Sequence, residues 1–214
     1  MKQEMTYSEL GKNRIEALSD GIFAIVMTLL ILEIHVPQLP SNASNVQLAP
    51  ALMELLPKFF SYAVSFIALG IYWVAHHNMY HAIKRSDRML LWLNILFFMF
   101  VSILPFTTSL LNAFGQTQLA PLLFGANLTI IGWVLFIQWM YVTSNNMISE
   151  LISSQFRESV RFRFLFIPVA ATTAMLVCFW SVEILLTVYA ILLPFYMISP
   201  KLAAQHETVS NSAT

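Results

Sequence analysis

The feature that most narrows the possible folds is a series of long apolar segments whose linkers are alternately basic and free of basic residues. A membrane-crossing helix needs about 20 mostly apolar residues. Six segments reach or approach that length, at roughly 15–36, 57–80, 88–112, 119–143, 163–180 and 183–199. Lys2, Lys12 and Arg14 precede the first segment, and Lys84, Arg85 and Arg88 lie between the second and third. Arg157, Arg161 and Arg163 lie between the fourth and fifth, and Lys201 follows the sixth. Residues 37–56 and 113–118 contain no Lys or Arg, and neither does the short turn Trp180–Val182. Every basic residue except Lys58 therefore falls on one side, which the positive-inside rule makes cytoplasmic. An even number of spans returns both termini to that side. The expected fold is all-α, a polytopic membrane protein of six transmembrane helices per subunit. It forms one domain over residues 1–214, with His206–Thr214 as a disordered polar tail.

Composition agrees with this reading. Charged residues make up 10% of the chain and hydrophobic residues 58%, with mean hydropathy +0.70. A soluble domain carries about 25% charged residues, so a fully water-solvated surface is excluded. The basic residues are short clusters beside the spans and are explained by topology, which argues against a nucleic-acid role. Cys178 has no partner cysteine and reads as a small packing residue in an apolar run. Met1–Lys12 is polar and no A-x-A-like site follows the first apolar run, so no cleaved leader is expected. The linker Pro37–Glu54 is too long for a tight turn and too polar for a span. A short helix is expected there at Ala49–Leu56, with Pro50 in its first turn.

The polar residues inside the apolar segments carry the functional information. Asp20 stands about six residues into the first span, ~9 Å deep at 1.5 Å per residue. A carboxylate at such depth costs roughly 2.5–3.5 kcal/mol on insertion scales, so it faces protein or a wet cavity. His76 and His77 lie at a matching depth near the end of the second span, and Asn94 lies six residues into the third. Trp73 is one turn above His76 and adds an indole N–H. Ser19, Asp20, Trp73, His76, His77 and Asn94 therefore share one slab, where they can satisfy one another's hydrogen bonds. Arg14 and Asp20 are about 240° apart around the helix, so each needs a partner elsewhere. The slab is either a knot that fixes the packing of three spans or a gate-controlling, proton-sensing network. His76 and His77 are adjacent and diverge, and no HExxH spacing exists, so no metal site is expected.

A second pattern runs along the first span. Ile25, Leu29 and Leu32 recur at i, i+4 and i+7, with Thr28 beside them and Glu33 just beyond. Such a stripe is a packing seam or lipid contact, or else it lines a pore between subunits. In a pore, apolar rings gate by dewetting, and width and nearby dipoles set selectivity. Copies of Glu33 at the mouth would draw in cations. Spacing alone leaves these alternatives open.

The stretch RIEALSDGIFAIVMTLLILEI resembles the start of the transmembrane-protein-175 family, lysosomal and bacterial potassium channels. The family's marker, Arg-x-x-x-Phe-Ser-Asp, reads here as Arg14-x-x-x-Leu18-Ser19-Asp20, with Leu18 in place of Phe. WVAHH (Trp73, His76, His77) and LWLNILFFMFVSILPF (Asn94, Ser102, Pro105, Phe106) resemble its second and third helices. The motifs span about residues 10–112, and beyond them the likeness is one of span count. The resemblance implies a tetrameric cation channel that favours potassium and lacks the usual filter. First helices surround the axis, Ile25, Leu29 and Leu32 form apolar constrictions, and Thr28 is the hydroxyl associated with selectivity. It also implies a short, single-repeat, bacterial member in the inner membrane, a homo-oligomer whose partners are lipid and potassium ions. No cofactor beyond the permeant ion is expected.

Two other classes compete. A proton-coupled carrier for a small solute would use Asp20 and the histidines as a relay. Its flux would saturate, and such carriers bind at interrupted helices, whereas the first span here is uninterrupted. A membrane enzyme would need a nucleophile elbow or metal-ligand spacing, and neither is present.

Overall fold

The computed structural model of the protein describes residues 7–150 and 152–178. Six helices follow in order: α1 (Tyr7–Leu32), α2 (Asn45–Met53), α3 (Leu56–Ala82), α4 (Arg88–Phe114), α5 (Leu119–Ser144) and α6 (Ser154–Cys178). Among the described residues, four stretches are long and apolar enough to cross a membrane: Lys12–Leu32 of α1 and the whole of α3, α4 and α5. At 1.5 Å per residue, a helix such as α3, with 27 residues, reaches ~40 Å and overshoots a ~30 Å hydrocarbon core. The helices outrun the apolar segments because they continue into polar sequence. α1 starts at Tyr7 and α6 at Ser154, taking the basic residues Arg157, Arg161 and Arg163 into helix. The apolar segment at 183–199 and the tail at 206–214 lie outside the described residues, as does the Cys178 side chain.

The linker helix α2 begins at Asn45, ahead of the expected Ala49. Ser44 provides the start: its extended backbone N–H donates to Gln47 Oε1 at 3.0 Å, half of a capping box. Pro50 consequently falls inside the helix. α4 has a firmer start, with Asp87 Oδ1 accepting from the Leu90 N–H at 2.8 Å and Oδ2 accepting from the Tyr141 hydroxyl at 2.6 Å. One carboxylate thus caps α4 and ties it to the end of α5.

α1 packs on α3 and α4, α5 lies between α4 and α6, and α3 also touches α5. Leu69, Phe97, Leu104, Phe124, Leu128 and Trp139 fill the centre and are fully or nearly fully buried. Between apolar helices in lipid the gain comes from dispersion packing and interhelical hydrogen bonds. Those bonds account for polar residues scattered through the spans. Ser65 Oγ meets Thr108 Oγ1 at 2.9 Å, and Ser61 donates to Asn112 one turn further along. Tyr72 donates to the Leu128 carbonyl at 2.7 Å, Trp133 to Thr172 at 3.1 Å, and Gln138 to the Leu93 carbonyl at 3.0 Å. Gly132 lets α5 close on α6, since a Cβ there would stand 3.4 Å from Pro168 Cβ and from the Tyr72 hydroxyl.

Two loops at the basic end clasp each other. Ile83 and Ile148 form an antiparallel bridge, through Lys84 N–H to the Met147 carbonyl at 2.9 Å and Ser149 N–H to the Ala82 carbonyl at 3.0 Å. Ile83, Met147 and Ile148 are buried beneath it. Outside, Lys84 Nζ reaches Glu150 Oε1 at 2.9 Å, and Arg85 donates to the Asn145 carbonyl at 3.1 Å. Asn146 takes a positive φ of 52°, a left-handed turn that asparagine tolerates better than most residues.

Candidate functional site: a two-faced first helix and its polar anchor

α1 has two unlike faces. Ile15, Ser19, Phe23, Val26 and Leu30 are buried against α3 and α4. At 100° per residue these five cluster about 120° round the helix from Ile25. Ile25, Leu29 and Leu32 lie away from that face, 61%, 43% and 67% exposed in the protomer. Leu18, Gly21 and Thr28 are exposed with them, and a Cβ on Gly21 would meet nothing within 4 Å. The Thr28 hydroxyl donates to the Ile25 carbonyl at 2.8 Å, so its oxygen lone pairs face outward at the level of the stripe. Glu33 follows immediately past the end of α1, half-buried, with its carbonyl 3.2 Å from His35 Nδ1.

The polar slab holds the packed face in place, and it divides into two sets. The inner set is a buried chain across three helices. Ser19 Oγ of α1 lies 3.2 Å from His76 Nδ1 of α3, and His76 Nε2 lies 2.8 Å from Asn94 Oδ1 of α4. An amide oxygen only accepts, so Nε2 carries the proton and Nδ1 accepts from the Ser19 hydroxyl. A single-proton imidazole thus satisfies both contacts, and all three residues are 2% exposed or less. The outer set is exposed apart from half-buried His77. Trp73 Nε1 donates to Asp20 Oδ1 at 2.8 Å, linking α3 to α1. His77 stacks on Trp73 at 5.5 Å and pairs with His81, away from the inner chain. Arg14 is exposed and has no polar partner among the described residues.

Sequence reasoning did not identify the aromatic casing of the inner chain. His76 stacks on Tyr80 at 4.4 Å and on Phe97 at 5.2 Å with an interplanar angle of 9°, and Phe98 tilts against it at 5.7 Å. Phe97 in turn meets Phe23 of α1 at 6.0 Å. Tyr80, one turn after His76, carried a spacing signal. Phe97 and Phe98 carried none that separates them from other aromatic residues of α4. The casing excludes water from the Ser19–His76–Asn94 chain, which strengthens its hydrogen bonds and raises the cost of breaking one.

One face of α1 is thus held by packing and the buried polar chain, and another presents an apolar stripe at the surface of the protomer. Comparison with known proteins identifies the chain's relatives. Residues 14–105 match the model of a family described as the endosomal/lysosomal potassium channel TMEM175. A potassium channel of Chryseobacterium sp. (strain P1-3) is 30% identical over 167 residues, covering 76% of this chain and 83% of its own. A potassium channel of Streptomyces collinus is 31% identical over 188 residues, covering 86% and 90% respectively. The crystal structure of a lysosomal potassium-selective channel TMEM175 homolog from Chamaesiphon minutus superposes with a TM-score of 0.78 at 28% identity. That match covers 88% of this chain and 97% of the other.

Proposed function

The chain belongs to the TMEM175 potassium-channel family, and from that premise we propose that it is a potassium-selective, leak-like cation channel assembled as a homotetramer. Each subunit contributes six spans, the last of them at 183–199, and both termini face the cytoplasm of a bacterial cell whose inner membrane holds the channel. The α1 helices surround the axis. Ile25, Leu29 and Leu32 form stacked apolar rings, Thr28 supplies hydroxyl oxygens between them, and copies of Glu33 concentrate cations at the mouth.

The observation that carries this reading is the exposure of Ile25, Leu29 and Leu32 on a helix whose other face, about 120° round, is tightly packed. Copies of the same stripe meeting around an axis would cover it symmetrically. Relatives that are potassium channels supply the permeant ion. Arg14, exposed and unpaired among the described residues, is then available to a neighbouring subunit. No step of the reading needs a cofactor.

The test is purified protein in potassium-loaded liposomes, with the mass of the oligomer measured alongside. Potassium efflux that does not saturate, unitary steps in planar bilayers and a four-subunit mass support the reading. Saturating flux from a monomer or dimer would place the chain with proton-coupled carriers instead.

A further inference from the structure

His77 and His81 stand one turn apart on α3, and the site above makes no use of the nitrogens they turn toward each other. Their Nε2 atoms are 3.0 Å apart, and the rings meet edge to face with centroids at 4.4 Å and planes at 82°. His77 is half-buried and braced by its stack on Trp73, whereas His81 is exposed in the last turn of the helix. Adjacent His76 and His77 diverge, so the converging pair is the one spaced at i, i+4.

We propose that His77 and His81 form a bidentate site for a divalent transition-metal ion such as Zn2+. The distance fits. Two nitrogens each about 2.0–2.1 Å from zinc stand roughly 2.9–3.4 Å apart for N–Zn–N angles between a right angle and the tetrahedral value. The protonation also fits. In the metal-free pair one ring donates its Nε2–H to the other. On binding, the donor ring changes tautomer and carries that proton on Nδ1, so both Nε2 lone pairs face the ion and no proton is released. Imidazole pairs select zinc, nickel or copper, while potassium and magnesium favour oxygen ligands. Among the described residues no third His, Cys, Asp or Glu completes a closed cage, so water fills the remaining positions and the ion exchanges readily. The location couples the ion to the first helix, because the indole under His77 is the one that donates to Asp20 of α1.

Equilibrium dialysis of the tag-free, full-length protein against Zn2+ tests the assignment. One zinc per protomer is expected, displaced by Ni2+ and unaffected by millimolar K+ or Mg2+. His77→Ala and His81→Asn should each weaken binding about tenfold or more, and His35→Ala should leave it unchanged. His81 is exposed, so H81N retains the fold even if H77A does not, and its elution profile and thermal unfolding verify this. Zinc bound as tightly by H81N as by the unaltered protein, or lost in H35A, would overturn the assignment. This result is independent of the ion the channel conducts, since binding is read without flux.

Discussion

Asn94 closes the buried chain that holds α1 to α3 and α4, and its replacement is the cleanest residue-scale test of that chain. Asn94→Ala leaves the His76 Nε2 proton without an acceptor in an aromatic casing. The expected loss is about 1–3 kcal/mol, read as earlier thermal unfolding in detergent, with potassium selectivity unchanged in the protein that remains folded. Asp20→Ala removes the acceptor of the Trp73 indole and should cost stability or assembly more than selectivity. A stable tetramer with altered ion preference would reverse that order. Ile25→Asn places an amide on the stripe, so it should raise conductance severalfold and shift the bi-ionic potassium–sodium reversal potential toward zero by wetting the ring. At this scale the sequence revealed depth but not facing. Counting residues from the basic end brought Ser19, Asp20, Trp73, His76, His77 and Asn94 to one level. Separating His76, turned inward, from His77, turned outward, required the packing of α3 on its neighbours. The i, i+4 spacing of His77 and His81 is legible in the sequence, but that their rings meet depends on the rotamers set by the stack on Trp73.

The clasp between the α3–α4 and α5–α6 loops belongs to the scale of elements. Lys84 holds the Glu150 carboxyl below the usual carboxylate range, first by its hydrogen bond and then by its charge. A lowered folded-state pKa means that the stabilisation is fully present above the ordinary carboxylate value and is lost as pH falls through the folded value. The pair is exposed, so the effect is modest and screened by salt. Hydrogen exchange at the Lys84 and Ser149 amides should show it, with protection falling in acid relative to intrinsic rates. Glu150→Gln should lack that acid step. An acid step of the same size in E150Q would assign it to another group. Helix ends were the least legible elements. Hydropathy reads where lipid begins, whereas α1 and α6 continue as helix into polar sequence at Tyr7–Leu18 and Ser154–Arg163. The start of α2 depended on Ser44 and Gln47, a polar pair with no place in an apolar pattern.

For the whole molecule, the alternating basic linkers are the evidence for the proposed topology, and the exposed stripe of α1 is the surface that the proposed assembly would cover. Neither intersubunit contacts nor a pore radius can be read from one sequence, because both depend on how copies of the chain meet. The central claim is that α1 lines the ion path. Its most direct measurement is thiol accessibility under current recording, in a Cys178→Ser background that removes the chain's single native cysteine. Ile25→Cys places a thiol on the exposed stripe and Val26→Cys places one on the packed face. A small, water-soluble, thiol-reactive cation added to channels in planar bilayers should abolish most of the potassium current through I25C and spare V26C. Potassium currents in I25C that persist unchanged after full modification of the thiol, confirmed by mass, would contradict the account.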